Sequence, residues 1–548
     1  MLFTILLAAV LLFLLAWRFY GAFLDRQFSI DNATPTPSHA DFDGIDRVPA
    51  PKPVLLGHHF SSIAGAGPIV GPIIATVAFG WLPTLLWIIL GSIFIGGVHD
   101  YASLVASIRH KARSIAEIAR EQMSPLAYKL FLAFIWLTLV YVLTVFTDLT
   151  ATTFVEDGGV ATSSLIFIAL AVGFGFTLYR LKLSLLTSSL IFVPLVLLAT
   201  WIGHLAPLHA AGVASFTGLG AGRFWSVALI LYAFIASVTP VWILLQPRDY
   251  LSSYLLYFSV LGGFFGILFG GYTILYPAVT AWHAPGLGAL FPILFITVAC
   301  GACSGFHAIV ASGTSSKQID KEGDARTIGY GAMLIEGVVA VIAVATVAML
   351  PHGASLAGQA PMAVYGQGIG NFFAVFGIPH KLGSSFGLLA LSTFILTTLD
   401  TATRLGRYIF EEFFGMRGSR SRFLSTAATL LLPLIFVLVT LTDPQGNPMP
   451  VWKAIWPVFG ATNQLLAGLT LLVILVWLRK TGKMSFYVAV PMLFMNIMTV
   501  WALTQLISQY GFSTVGIIAM VLFALALVLM VEAVRTLRRS IWKHSAGR

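Results

Sequence analysis

The sequence predicts an all-α polytopic membrane protein of about fifteen transmembrane helices, on three observations. The chain has 548 residues, of which 58% are hydrophobic and 9% charged, against about 25% charged in a typical soluble domain. Apolar runs long enough to cross a bilayer recur along its whole length. The formal net charge of +10 comes from basic residues that collect in alternate loops, as the positive-inside rule requires. That segregation replaces the nucleic-acid reading that a basic chain invites.

In chain order, the run 2–20 (LFTILLAAVLLFLLAW at its start) has no basic n-region and no small-residue cleavage site after it. It reads as a retained accessory span rather than a signal peptide. Segment 21–57 is polar and proline-rich and reads as a solvated cytoplasmic linker. The clustered Asp41, Asp43 and Asp46 make an ordered collar the alternative. Spans follow at roughly 58–79, 81–108, 126–148, 160–179, 183–206, 222–245, 253–277, 290–312, 328–350 and 384–403. Four more lie at 423–442, 452–478, 484–507 and 513–534, before a basic tail at 535–548. The glycine-rich stretch 351–383 is too short for a span and reads as an external loop or a re-entrant segment.

The loop after the third span carries Arg109, Lys111, Arg113 and Arg120 and is therefore cytoplasmic. Its RSIAEIAREQM portion has the spacing of a short amphipathic helix on the inner membrane face. Alternation puts the N-terminus outside and the C-terminus inside. Arg223, Lys381 and Lys453 alone among the basic residues then fall on the outer side. A buried arginine is thus not expected to meet a substrate.

The stretch HHFSSIAGAGPIVGP, His58 to Pro72, holds Gly65, Gly67, Pro68, Gly71 and Pro72 where a span should be continuous. Proline removes a ladder hydrogen bond and glycine weakens the helix. An interrupted backbone survives in lipid only where protein buries it or where it lines a cavity. Such broken helices build the substrate sites of secondary transporters. Pro68 suits the first position of a new half-helix, whose N-terminus would face an anionic group. A glycine-packed, proline-kinked crossing is the plainer reading.

Cys300 and Cys303 form a CxxC inside an apolar run, which reads as small packing residues rather than a redox or zinc motif. No phosphate-binding loop is present, and no cofactor or metal is expected.

The stretch DGIDRVPAPKPVLLGHHFSSIAGAGPIVGP, then GPIIATVAFGWLPTLLW, GGVHDYASL, RHKARSIAEIAR, ITVACGACSGFHAIVASGTSSKQI and STFILTTLDTATRLGRYIFEE follow one another from about residue 43 to 412. In this order they resemble the carbon starvation protein A (CstA) family. One departure is His99-Asp100, where much of the family has QD; another is a shorter C-terminal part. The resemblance implies a bacterial inner-membrane secondary transporter. Family members are associated with peptide uptake during carbon starvation, others with proton-coupled pyruvate uptake. It further implies kinship with the amino acid–polyamine–organocation superfamily, whose core is two inverted five-helix repeats, each opening on a discontinuous helix.

On that architecture the core spans 58–414, with accessory helices at 1–20 and 415–534. The second broken helix is then expected five spans after the first, at Ser237, Val238, Thr239 and Pro240 in the run 222–245. The expected substrate contacts are Gly65, Ala66, Gly67, Pro68 and Gly71 on one break, with Ser237, Thr239 and Pro240 on the other.

His58 and His59 sit at the inner end of the broken span, either relaying protons or bonding to neighbouring helices. Asp100 lies about eight residues before a cytoplasmic basic cluster, as a proton or cation site or as a structural ion pair. Asp148 reads as an exposed loop charge. Ser304, His307 and Thr314 concentrate polar groups in the ninth span; the resemblance implies a coupling-ion site there, and helix packing is the alternative. The functional and structural readings of Glu336 balance. Asp400 and Arg404 are spaced for an i,i+4 salt bridge and read as an inner gate.

The expected function is uptake of a small carboxylate or peptide, driven by protons. A sodium-coupled or uncoupled carrier or channel is the alternative, and a membrane-embedded enzyme the weakest reading.

Overall fold

The computed structural model describes residues 2–43, 47–210, 218–240, 243–416, 418–442 and 448–545. Asp46 of the expected collar and the last residues of the basic tail lie outside these. The helices in order begin with α1 (Leu2–Phe28), α2 (Lys52–Ile63), α3 (Gly67–Phe79), α4 (Trp81–Arg109), α5 (Ile115–Gln122) and α6 (Pro125–Glu156). Then come α7 (Gly158–Tyr179), α8 (Leu185–Leu205), α9 (Ala221–Val238), α10 (Leu245–Phe269), α11 (Leu290–Thr297), α12 (Gly305–Gly313) and α13 (Glu322–Ala348). The last are α14 (Pro361–Ala374), α15 (His380–Phe414), α16 (Ser419–Leu438), α17 (Val451–Lys480), α18 (Phe486–Tyr510) and α19 (Thr514–Ser545).

Among the described residues, thirteen helices are long and apolar enough to cross a membrane, and α2 with α3 is a bent pair that makes fourteen if taken as one span. The run expected as a continuous span at 290–312 is instead two short helices, α11 and α12, separated by residues 298–304. The stretch 351–383 contains α14, which packs along α15.

The centre of the bundle is α15 and α17, whose apolar stretches are 94% and 100% buried, whereas that of α1 is 22% buried. A helix that is apolar all round and enclosed by others needs no polar face. α17 can therefore place amide side chains against its neighbours.

Local chemistry sets the ends. Ser114 Oγ accepts from Glu117 N at 3.2 Å while Glu117 Oε2 accepts from Ser114 N at 3.1 Å, a capping box that starts α5. The apolar face of α5 (Ile115, Ile118, Ala119) is buried against α6 and α17 rather than left for lipid. Asp148, expected as a loop charge, is only partly exposed and accepts from Trp452 N at 2.8 Å, capping α17.

The segment between α1 and α2 is not a free linker. Thr36 and Ser38 are buried and each donates to Ile319 O at 2.7 Å. Arg109 binds Glu322 at 2.7 Å, and Lys483 Nζ donates to Phe28 O at 2.8 Å. The ordered-collar alternative describes the part that is described; Asp41 in it lies 3.6 Å from Arg47.

Candidate functional site

α2 ends at Ile63, where Gly65 N turns back to Ile63 O at 2.9 Å, and α3 restarts at Gly67 with a bend of 47°. This break faces the 298–304 break. A Cβ on Gly67 would lie 2.3 Å from Cys300 Sγ, and one on Gly71 2.4 Å from Thr297 O, so glycine is what lets the two broken segments touch. Ala66 precedes the first turn of α3, and Pro68 sits within it. Pro68 has no N–H, and Ile69 N and Val70 N both donate to Ala66 O, at 3.1 and 2.8 Å, so the leading amide that turn can offer is that of Gly67.

The second break is held from α17. Asn463 Oδ1 accepts from Phe306 N at 2.9 Å, and its Nδ2 lies 3.0 Å from Ser304 Oγ and 3.4 Å from Cys300 Sγ. Gln464 Nε2 donates to Phe295 O and Cys303 O at 3.1 and 3.0 Å. Asn463 thus occupies the start of α12. Between the breaks lies a cavity with room for about one water, lined by Ile63, Gly65, Phe146, Cys300, Phe306 and Thr398, among others.

The expected second break is therefore misplaced. Ser237 to Pro240 form the end of α9, not the middle of a span. Arg404 Nη2 donates to Ala236 O and Thr239 O at 2.9 and 2.7 Å, and Arg407 Nη1 to Ser237 O at 2.7 Å. Residues on α15 anchor this end.

One turn past the second break, α12 carries His307 into a buried group of acids. His307 Nδ1 lies 2.7 Å from Asp100 Oδ2 on α4, and its Nε2 lies 3.2 Å from Glu336 Oε2 on α13. The other Asp100 oxygen is 2.7 Å from His99 Nδ1. All four side chains are inaccessible to solvent. With Asp100 ionised, both histidines present Nδ1–H to it, which leaves His307 Nε2 free to accept; Glu336 stands 3.2 Å away, and neither Nε2 nor the Glu336 oxygens make a hydrogen bond among the described residues. Moving a proton from Glu336 to Nε2 gives an imidazolium between two carboxylates. The group can thus hold a proton, and passing it between His307 and Glu336 takes a small turn of the Glu336 carboxyl onto Nε2.

The other expected coupling residues are elsewhere. Ser304 is engaged by Asn463, and Thr314 ends α12. His59 Nδ1 is 2.7 Å from Ser315 Oγ. His58 Nδ1 is 3.4 Å from Asp249 Oδ2 on α10.

The expected Asp400–Arg404 bridge does not form. Asp400 Oδ2 instead accepts from Arg248 Nη1 and, at 2.9 Å, from Tyr232 OH. Arg248 Nη1 also donates to Tyr232 OH, and Arg248 is wholly buried. The arginine that charge counting assigned to a cytoplasmic loop is thus inside the bundle. Among the described residues no group of three or more His, Cys, Asp or Glu side chains is arranged to hold a metal ion.

The sequence model of "Carbon starvation protein CstA" matches residues 1–368 and 353–502. The chain belongs to the CstA family. The peptide transporter CstA of Escherichia coli is 31% identical to this CstA-family chain over 91% of it and 80% of the relative. That of Bacillus subtilis is 30% identical over 100% and 98%. The pyruvate/proton symporter BtsT of Escherichia coli is 29% identical over 91% and 81%. Among solved structures, a mutant of the Eremococcus coleocola manganese transporter covers 91% of the chain at 16% identity with a TM-score of 0.44.

Proposed function

We propose that this CstA-family protein imports a small carboxylate or short peptide across the bacterial cytoplasmic membrane, driven by protons. The observation that carries the reading is His307 bridging Asp100 and Glu336 beside two facing helix breaks. A proton held there is one turn from the backbone that lines the cavity. The names of its relatives, a peptide transporter and a pyruvate/proton symporter, support both the substrate class and the coupling ion.

The substrate carboxylate meets the N-terminus of α3, because Asn463 already occupies that of α12. The core comprises two five-span repeats, α2/α3 to α8 and α11/α12 to α17. The short helices α5 and α14 fall between the second and third members of each, which supports the match. α9 and α10 are inserted between the repeats, and two spans preserve the opposite sense that inversion requires. The N-terminus lies outside, as the basic loops direct.

The test is uptake of labelled pyruvate and a labelled dipeptide into proteoliposomes under imposed proton or sodium gradients. Proton-driven accumulation of either is expected. Accumulation driven by sodium alone, or equilibration indifferent to both gradients, overturns the coupling, and no uptake of either solute overturns the transport reading.

A further inference from the structure

Arg248 has donors that no described residue uses. A guanidinium carries five N–H donors in one plane. Nη1 serves Asp400 Oδ2 and Tyr232 OH, but among the described residues Nε and Nη2 make no hydrogen bond, although the side chain is 0% exposed. Unmade donors at that depth are costly and uncommon in a folded protein.

The pattern of use is also unlike a structural pair. Buried arginine and carboxylate groups characteristically join through two parallel bonds. Here one oxygen of Asp400 is engaged and Oδ1 has no hydrogen-bond partner, so the pair is held through a single corner of the guanidinium. The unused Nε–Nη2 edge is the edge that fits both oxygens of a carboxylate. Arg404 and Arg407 nearby also leave Nε without a partner, but they donate through Nη2 and Nη1 to the carbonyls that end α9, whereas Arg248 leaves Nη2 unused as well.

Position links that edge to the transport path. Asp400 lies two residues past Thr398 of the cavity wall on α15, about 3 Å further along the helix but on a different face of it. Ser252 of α10, one turn after Arg248, lies 3.5 Å from Thr397 of α15. His58, paired with the neighbouring Asp249, stands roughly 10 Å before Gly65 along α2 at about 1.5 Å per residue. Arg248 therefore lies between α9, α10 and α15, next in sequence to the Asp249–His58 contact with α2, on the His58 side of the break.

We propose that the Nε–Nη2 edge of Arg248 receives the carboxylate group of the substrate as it passes from the break along α2. This rests on the reading that the chain transports carboxylates or peptides. Arg248 holds its anion with a permanent charge, whereas α3 offers only backbone dipoles.

The test compares acids with their neutral amides on the purified full-length protein: pyruvate against pyruvamide, and dialanine against its C-terminal amide, by titration calorimetry. The wild type is expected to bind acid in preference to amide. Arg248→Lys keeps a cation for Asp400 but lacks the fork, and should raise the Kd for the acid at least tenfold with an unchanged melting temperature. Should it misfold, Arg248→Gln combined with Asp400→Asn removes both charges together and should lose the same acid preference. Either folded variant binding the acid within twofold of wild type overturns the proposal. So does equal loss of acid and amide, which assigns Arg248 to structure, and so does a wild type that binds no acid. Failure of the transport reading is distinct: acid binding that needs Arg248, with no uptake into proteoliposomes.

Discussion

Two buried polar clusters flank the helix breaks, and they are built on different principles. The Asp100–His307–Glu336 group contains no permanent cation; its charge changes with every proton it gains or loses. The Arg248–Asp400–Tyr232 group contains a guanidinium that stays charged at any physiological pH. The first can act as a variable and the second as a fixed point. Damage to the first should therefore appear in coupling, and damage to the second in folding and anion affinity.

The sharpest way to break this contrast is Asp100→Asn, which removes the charge and leaves a single acceptor oxygen where His99 and His307 each had one. Proton-driven uptake should fall about 100-fold, near the upper end of typical coupling energies, while the purified protein keeps its elution profile and melting temperature. Equal loss of stability and uptake would make the two clusters alike. Arg248→Ala should do the reverse, leaving Asp400 buried with no cation. That costs about 3–5 kcal/mol, visible as poor yield and a lowered unfolding midpoint.

A smaller effect separates the members of the first cluster. Glu336→Gln keeps a hydrogen-bonding group beside His307 Nε2 but cannot ionise. Gradient-driven uptake should drop about tenfold, with counterflow exchange largely retained. The smallest change is expected for His99→Gln. Glutamine still presents a donor toward Asp100 Oδ1, so uptake should stay within about twofold. A larger loss would make His99 a proton carrier in its own right.

The first break could be read in the sequence because its cause is local: Gly65, Gly67 and Pro68 disrupt a helix wherever they stand. The second could not. Residues 298–304 contain Gly301 and no proline, and their small side chains look like helix packing. What opens the backbone there is Asn463 and Gln464, some 160 positions away on α17. Pro240 pointed to the wrong place because a proline at the end of a helix and one in its middle look the same in a sequence. Arg248 and Asp249 likewise read as a loop, since neither His58 nor Asp400 is adjacent in the chain. Asp100 and His307 were both legible as costly polar groups in apolar runs; that they touch was not.

The contact between Gly67 and Cys300 has a practical consequence. The thiol lines the cavity between the two broken segments and is a free cysteine. It can serve as a built-in reporter of gating: a small alkylating reagent is expected to reach this buried thiol only in a state in which the broken segments part. The rate of its labelling, followed by mass spectrometry with and without pyruvate, would time the opening of the path in a protein that carries no introduced probe.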